Sequence, residues 1–319
     1  MFKNNIVRKI MTVSNIRIGT RGSKLALIQA EYIKSLLLAT HNNISVEIEV
    51  ISTAGDRSQK DNRALSEIGG KGLFTMEIED KLLNGEIHLA VHSAKDMPTT
   101  LPDGLALVCY PKRENPADAF IGRSVDLFDD LPKGAVIGSA SLRRRALMLR
   151  KRPDLEMVMF RGNVDTRLQK VENGEVDATL LACAGLNRMG LEKHISCELD
   201  LNDFPPAPGQ GAITIEVATS NAEVVELLKP LNDVDTETAL IAERAFLEEL
   251  DGSCRTPIGA YASLDGEELN LHGIILKPDG SEYYEHRLSG RVSDAREIGL
   301  EMGRILKSNA GTSFFEGWG

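Results

Sequence analysis

The sequence predicts an α/β protein of two lobes followed by a small α+β domain. Three observations carry that prediction. Short β-rich runs alternate with helical patterns over the first two thirds, and the same alternation restarts near residue 135. After residue 231 a long amphipathic helix gives way to strand-like runs separated by turn signals. At 319 residues the chain also exceeds what one hydrophobic core usually serves.

In order, Ile16–Gly19 reads as a strand, and Ser23 caps a helix whose apolar positions include Leu25, Leu27, Ile28 and Ile33. Ile44–Ser52 alternates apolar and polar residues and reads as a strand; Leu73–Leu83 reads as a helix and Ile87–His92 as the next strand. The second unit reads as strand Ala135–Gly138, helix Leu142–Arg152, strand Glu156–Phe160, helix Val164–Glu172 and strand Ala178–Leu181. This is βαβ logic and predicts mostly parallel sheets, with ligands beyond the C-terminal ends of the strands, in a cleft between the lobes. The Pro/Gly-rich stretch Phe204–Gly211 reads as an inter-lobe crossover, and Ala212–Val217 as a returning strand. Thr236–Leu250 is the amphipathic helix of the third domain. Asp265-Gly266 and Pro278-Asp279-Gly280 mark its turns, and a last helix runs from Asp294 to Leu306.

The expected division is an extension over 1–15, lobe 1 over 16–111 with 212–230, lobe 2 with its crossover over 112–211, and the C-terminal domain over 231–319. The extension holds basic Lys3, Arg8 and Lys9 without the apolar core of a secretory signal, and Met11 is an alternative initiator. The polar, glycine-bearing stretch Gly55–Gly72 reads as a long loop, either a lid over the cleft or a surface excursion.

Composition narrows the function. A formal net charge of −10 argues against a general attraction to nucleic acid or an anionic membrane, and no apolar run reaches the length of a membrane span. The four cysteines, Cys109, Cys183, Cys197 and Cys254, form no C-x-x-C pair and fit a reducing, cytoplasmic setting better than a disulfide framework; no metal motif is present.

Chemistry concentrates in three places. The strand ending at His92 runs into Ser93-Ala94-Lys95-Asp96-Met97-Pro98, which puts Asp96 on a turn at a strand's C-terminal end, able to stabilise a developing cation or shuttle a proton. The alternative is a solvated turn aspartate. Residues 143–167 carry 8 Lys/Arg against 3 Asp/Glu in an otherwise acidic chain. Arginine forks and helix N-termini suit a ligand bearing carboxylates or phosphate, with Arg143 and Arg144 pointing inward and Arg150, Lys151 and Arg152 forming a solvated face. Thr20-Arg21-Gly22-Ser23 is a plausible anion site at the facing strand–helix junction. Cys254 lies in a turn after the long helix, where Arg255 favours thiolate; the default for a free cysteine is a small buried hydrophobe, which Cys109, Cys183 and Cys197 fit.

Taken in series from Ile16 onward, the motifs Thr20–Ser23, Gly69–Phe74, His92–Asp96, Ser141–Arg144, Arg161–Val164, Pro208–Ala212 and Gly252–Cys254 resemble the porphobilinogen deaminase (hydroxymethylbilane synthase) family. The resemblance implies two lobes like those of type II bacterial solute-binding proteins, and a dipyrromethane cofactor held by a thioether to Cys254. It implies a cytoplasmic, monomeric transferase of tetrapyrrole biosynthesis that links four porphobilinogen units head to tail, releases ammonia each time and then frees hydroxymethylbilane by hydrolysis. By resemblance Asp96 stabilises the pyrrole cation. Arg21, Arg161 and Arg167 join it as catalytic residues; Ser23, Lys95, Ser141, Arg143, Arg144 and Arg188 hold the cofactor; and Lys71, Gln29 and Gln210 belong to the substrate and lid positions. Three residues depart from the familiar pattern. Glu67 stands in place of a lysine, Ala140 in place of a hydroxyl-bearing residue, and Pro208 in place of an aliphatic one. Two competing readings are a non-enzymatic two-lobed polycarboxylate-binding protein and a nucleic-acid binder using Arg143–Arg152; the latter lacks interleaved aromatics.

Overall fold

The structure is a computed structural model that describes residues 14–53, 75–252 and 256–316. The expected N-terminal extension, the stretch Gly55–Gly72 with Glu67 and Lys71, and Cys254 therefore lie outside the described residues, apart from the two residues at 14–15.

Two five-stranded sheets share one topology. In the first the strand order is β2 (Ser45–Ile51), β1 (Asn15–Arg21), β3 (Leu89–Ser93), β10 (Ile213–Ala218), β4 (Leu105–Cys109). In the second it is β7 (Glu156–Val158), β6 (Val136–Gly138), β8 (Ala178–Ala182), β5 (Asp118–Gly122), β9 (Cys197–Glu198). Each begins with two parallel ladders and ends with two antiparallel ones. The expectation of mostly parallel sheets is thus corrected to mixed sheets. Strands β5 and β10 arrive from the other lobe, so no βαβ crossover fixes their direction.

Helices cover these sheets: α1 (Lys24–Thr40), α2 (Met76–Leu83) and α6 (Ala222–Leu228) on the first, and α3 (Leu142–Lys151), α4 (Val164–Glu172) and α5 (Cys183–Met189) on the second. Local chemistry sets their starts. Ser23, Ser141, Asn163 and Asn221 each accept from a backbone N–H in the first turn of the helix they precede. The core of the first lobe is built from Ile16, Ile18, Ile33, Leu37 and Ile215, all essentially buried. β4, β5, α5 and α6 were not foreseen. They are short, and apolar runs of four to seven residues carry little periodic signal.

The third unit is the antiparallel sheet β11 (Ile258–Asp265), β12 (Glu268–Leu276), β13 (Tyr283–Arg291) under α7 (Val234–Glu249) and α8 (Ala295–Ala310). It shares a core with the second lobe: Ile274 and Leu276 pack in the cluster that holds Phe120, Ile137 and Leu147. The turn at Gly280 lies so close to α3 that a Cβ there would meet Ala146 O and Arg150 N at 2.6 Å. Arg150, Lys151 and Arg152 are consequently not a solvated face. Arg150 stacks on Tyr283 at 4.5 Å and pairs with Glu285 at 3.1 Å, Lys151 pairs with Asp203 at 2.6 Å, and Arg152 pairs with Asp154 at 2.8 Å.

Candidate active site

Asp96 sits in the 3-10 turn Ala94–Asp96 directly after β3, as its position before Pro98 predicts, and its side chain is exposed. It lines a cavity of about 100 Å³ together with Arg21, Ser23, Gln29, Thr75 and His92. Arg21 closes β1 and Ser23 opens α1, so both arrive at the strand–helix junction. Gln29, one turn further along α1 and buried, donates from Nε2 to Ser93 Oγ at 3.0 Å, which ties α1 to the end of β3.

Lys95 faces the other way. Its Nζ donates to Gln210 Oε1 at 3.3 Å, and Gln210 Nε2 donates to Asp118 Oδ1 at 2.9 Å and to Pro116 O at 2.8 Å. Asp118, the first residue of β5 and fully buried, receives Arg144 at 2.7 Å and Arg143 at 2.8 Å. Arg143 also donates to Pro205 O, and Arg144 to Leu180 O. A hydrogen-bonded chain therefore runs from the Asp96 turn in one lobe to the N-terminus of α3 in the other, which Ser141 caps. Burial alone would raise the Asp118 carboxyl; Arg143 and Arg144 outweigh it and hold it well below the usual carboxylate range.

Burial is the largest influence on three further cations, Lys95, Arg167 and Arg188. Burial, then repulsion from Arg144, brings the Lys95 ammonium down to about 8, against the opposing pull of Asp96 and Asp118. Burial and Arg144 likewise lower Arg167, which donates to Gly162 O, to about 10. Burial lowers Arg188, whose guanidinium donates to Gly211 O at 2.7 Å and is partly offset by Glu114. Arg161 stands half-buried in the connection between β7 and α4. Of the cysteines expected to be buried, Cys109 and Cys183 are, and burial pushes both thiols up to about 12. Cys197, on edge strand β9, is only half-buried.

The structure thus gathers Arg21, Ser23, Gln29 and Asp96 at one cavity, and Lys95, Gln210, Arg143 and Arg144 on one network. The hub of that network, Asp118, was not singled out from the sequence. Its one signal is an acid opening the otherwise apolar run Ala119–Ile121. His92 stood within a quoted motif without a role. Arg143 and Arg144, at 4% and 7% exposed, are turned into the interior rather than offered to a surface ligand. Among the described residues, no group of His, Cys, Asp and Glu is arranged to hold a metal.

Fold and site together define a two-lobed α/β protein that sets an exposed carboxylate at a cavity lined by Arg21, with buried cations on the network behind it. The family model described as porphobilinogen deaminase, dipyromethane cofactor binding domain, matches residues 16–226, and that described as porphobilinogen deaminase, C-terminal domain, matches residues 238–308. A porphobilinogen deaminase from Nitrobacter hamburgensis is 48% identical over 300 residues, covering 93% of this chain and 94% of the relative. The chain belongs to the porphobilinogen deaminase family. Among solved structures, the methionine-binding protein MetQ is 13% identical at a TM-score of 0.42, covering 68% of this chain and 88% of its own. The periplasmic VFT2 domain of Bordetella pertussis BvgS is 18% identical at a TM-score of 0.40, covering 67% and 85%.

Proposed function

We propose that this enzyme joins porphobilinogen units head to tail, four per product, on a dipyrromethane carried by Cys254, releasing ammonia at each addition and hydroxymethylbilane at the end. The observation that carries the reading is the 48% identity to a porphobilinogen deaminase over nearly the whole chain. It supports an enzyme over a non-enzymatic polycarboxylate binder.

The residues present fit the cofactor. A dipyrromethane bears acetate and propionate groups, and the depressed Lys95 and Arg167 mark a site short of negative charge that such groups would supply. Lys95, Ser141 and Ser23 would hold it, along with Arg188 and the outer edges of Arg143 and Arg144. When bound, it supplies the pyrrole end to which substrate is added. Arg21 and Arg161 would grip substrate carboxylates, with Arg167 behind them. Asp96 accepts pyrrole N–H groups and offsets the positive charge that develops as the amine departs. The buried and paired surroundings of Lys95, Gln210 and Asp118 hold the Asp96 turn so that its carboxylate need not reorganise. Lys71 is assigned to a lid by the family motif alone.

The same reading takes 16–111 with 212–230 as lobe 1, 112–211 as lobe 2 and 231–319 as the cofactor-bearing domain; sheet membership supports this division. It also takes the enzyme as a cytoplasmic monomer, which light scattering and cell fractionation test. Among the described residues, no helix is long and apolar enough to cross a membrane.

Intact mass of the purified protein tests the assignment. It should exceed the sequence mass by one dipyrrole, and Cys254→Ser should lack the increment. An active enzyme with unmodified mass would refute the cofactor assignment. Binding of porphobilinogen without ammonia release would refute the enzymatic reading.

A further inference from the structure

Behind the Asp96 cavity lie two buried glutamates that the reading above leaves unused. Glu216, on β10, is fully buried, and Glu79, on α2, is 6% exposed. Each has an oxygen, Oε1, with no hydrogen-bond partner among the described residues, and among those residues no Lys or Arg pairs with either. They are near enough that Glu216 acts on Glu79, and burial, with that repulsion behind it, raises the Glu79 carboxyl.

Both glutamates connect to the cavity. His92 lines it and reaches Glu216 Oε2 through Nε2 at 3.1 Å. Thr75 also lines it, and its hydroxyl donates to Glu79. The charged groups around His92 are Glu216 from β10 and Glu79 from α2, with Arg21 from the end of β1 and Asp96 from the turn after β3 lining the same cavity; α1 contributes the neutral Gln29, and Lys95 points away toward Gln210. Two carboxylates that feel each other in an interior where neither pairs with a Lys or Arg among the described residues favour keeping a proton between them, and burial raises the Glu79 carboxyl in that direction. A purely structural role needs no charge there, since apolar residues of similar volume would pack as well.

We propose that His92, Glu216 and Glu79 form a buried proton store serving the Asp96 cavity, with His92 and Thr75 as its two contacts. The inference rests on the deaminase reading. Joining two pyrroles breaks one C–N bond and one C–H bond and makes one C–C bond. The amine leaves as ammonia, and the proton from the C–H bond must reach it to give ammonium. His92 takes that proton, Glu216 and Glu79 share its charge, and the same proton returns through His92 or Thr75 to ammonia. No electrons change hands. Glu79 and Glu216 act through His92 and are positioning residues.

The test compares Glu79→Gln and Glu216→Gln, which keep volume and remove the proton site. Each should lower kcat about tenfold at neutral pH and displace the acid limb of the kcat–pH profile, with KM nearly unchanged. Independently of turnover, infrared spectroscopy of the substrate-free protein should show a protonated buried carboxyl at neutral pH that disappears in Glu79→Gln. Superimposable kcat–pH profiles in the folded variants would overturn the store, whatever their melting temperatures. If neither variant folds, isotope-labelled glutamate in the unsubstituted protein decides: no protonated glutamate between about pH 6 and 8 would equally overturn it. Ammonia release by the unsubstituted enzyme tests the deaminase reading separately.

Discussion

Asp96 and Asp118 illustrate how one residue type takes two jobs according to its neighbours. Asp96 is exposed on a turn and Asp118 is fully buried under two guanidiniums. Asp96→Asn removes charge and little volume, so turnover should fall about 100-fold or more while the melting temperature stays nearly constant. Retention of most activity in a steady-state assay would refute its role. Asp118→Asn should do the reverse first: it leaves Arg143 and Arg144 side by side without a counter-ion, at a cost of about 3–5 kcal/mol in a denaturant titration. Lys95 gives a pH signature. Its ammonium is at about 8 in the free site against 10.5 in an unfolded chain, so between those values the unfolded chain binds the extra proton and this group's contribution to stability rises with pH. The cofactor's carboxylates stabilise the charged form, so the affinity of the cofactor-free Cys254→Ser protein for an added dipyrromethane should fall as pH rises through about 8. Lys95→Arg in the same background stays charged and should flatten that curve; an unchanged curve would show that Lys95 is not the titrating group.

At the scale of elements, α7 is the piece that connects everything. Its Glu243 accepts Arg113 at 2.7 and 3.1 Å, Gly209 N at 2.6 Å and Ala262 N at 2.9 Å. The next residue, Arg244, donates to Pro98 O at 2.7 Å, just beyond the Asp96 turn. The helix thus grips the Asp96 turn with one residue and the crossover with its neighbour, and it ends at Glu249, five positions before Cys254 in the sequence. Arg244→Met keeps most of the apolar stem and loses the grip. It should lower kcat several-fold with the dipyrrole still attached by mass, and hydrogen exchange should speed up at residues 94–98; unchanged exchange there would count against the grip. The helix itself was readable from its apolar period, and so was the turn that bears Asp96, because strand periodicity, a following proline and capping serines are local signals. Glu243, Arg244, Glu216 and Asp118 were not readable. Their partners lie 19 to 147 positions away along the chain, and nothing local distinguishes a glutamate that will be buried from one on a solvated face. Mixed sheet direction was hidden for the same reason, since it depends on where β5 and β10 insert.

Over the whole molecule, the third unit is bound to both lobes rather than appended to one. Toward the first lobe it offers the Arg244 contact, and toward the start of the connection between the lobes the Arg113–Glu243 pair. Toward the second it contributes Ile274 and Leu276 to a shared core, lays Gly280 on α3 and pairs Glu285 with Arg150. α3 carries Arg143 and Arg144 at its first turn, so a shift of this unit would be felt at both arginines. Contacts of this number and kind couple the units thermodynamically, so heating should melt all three in a single calorimetric transition. Glu243→Gln probes that coupling where three chain segments meet. It keeps the volume but leaves the Arg113 guanidinium, 11% exposed as a side chain, without its charge partner. The expected cost is about 3 kcal/mol or more, with hydrogen exchange accelerating together at residues 209–211 and 260–262, which the carboxylate now joins. Acceleration confined to one of those segments would mean that the units melt separately and that the crossover and the Asp96 turn are held in register by something other than α7.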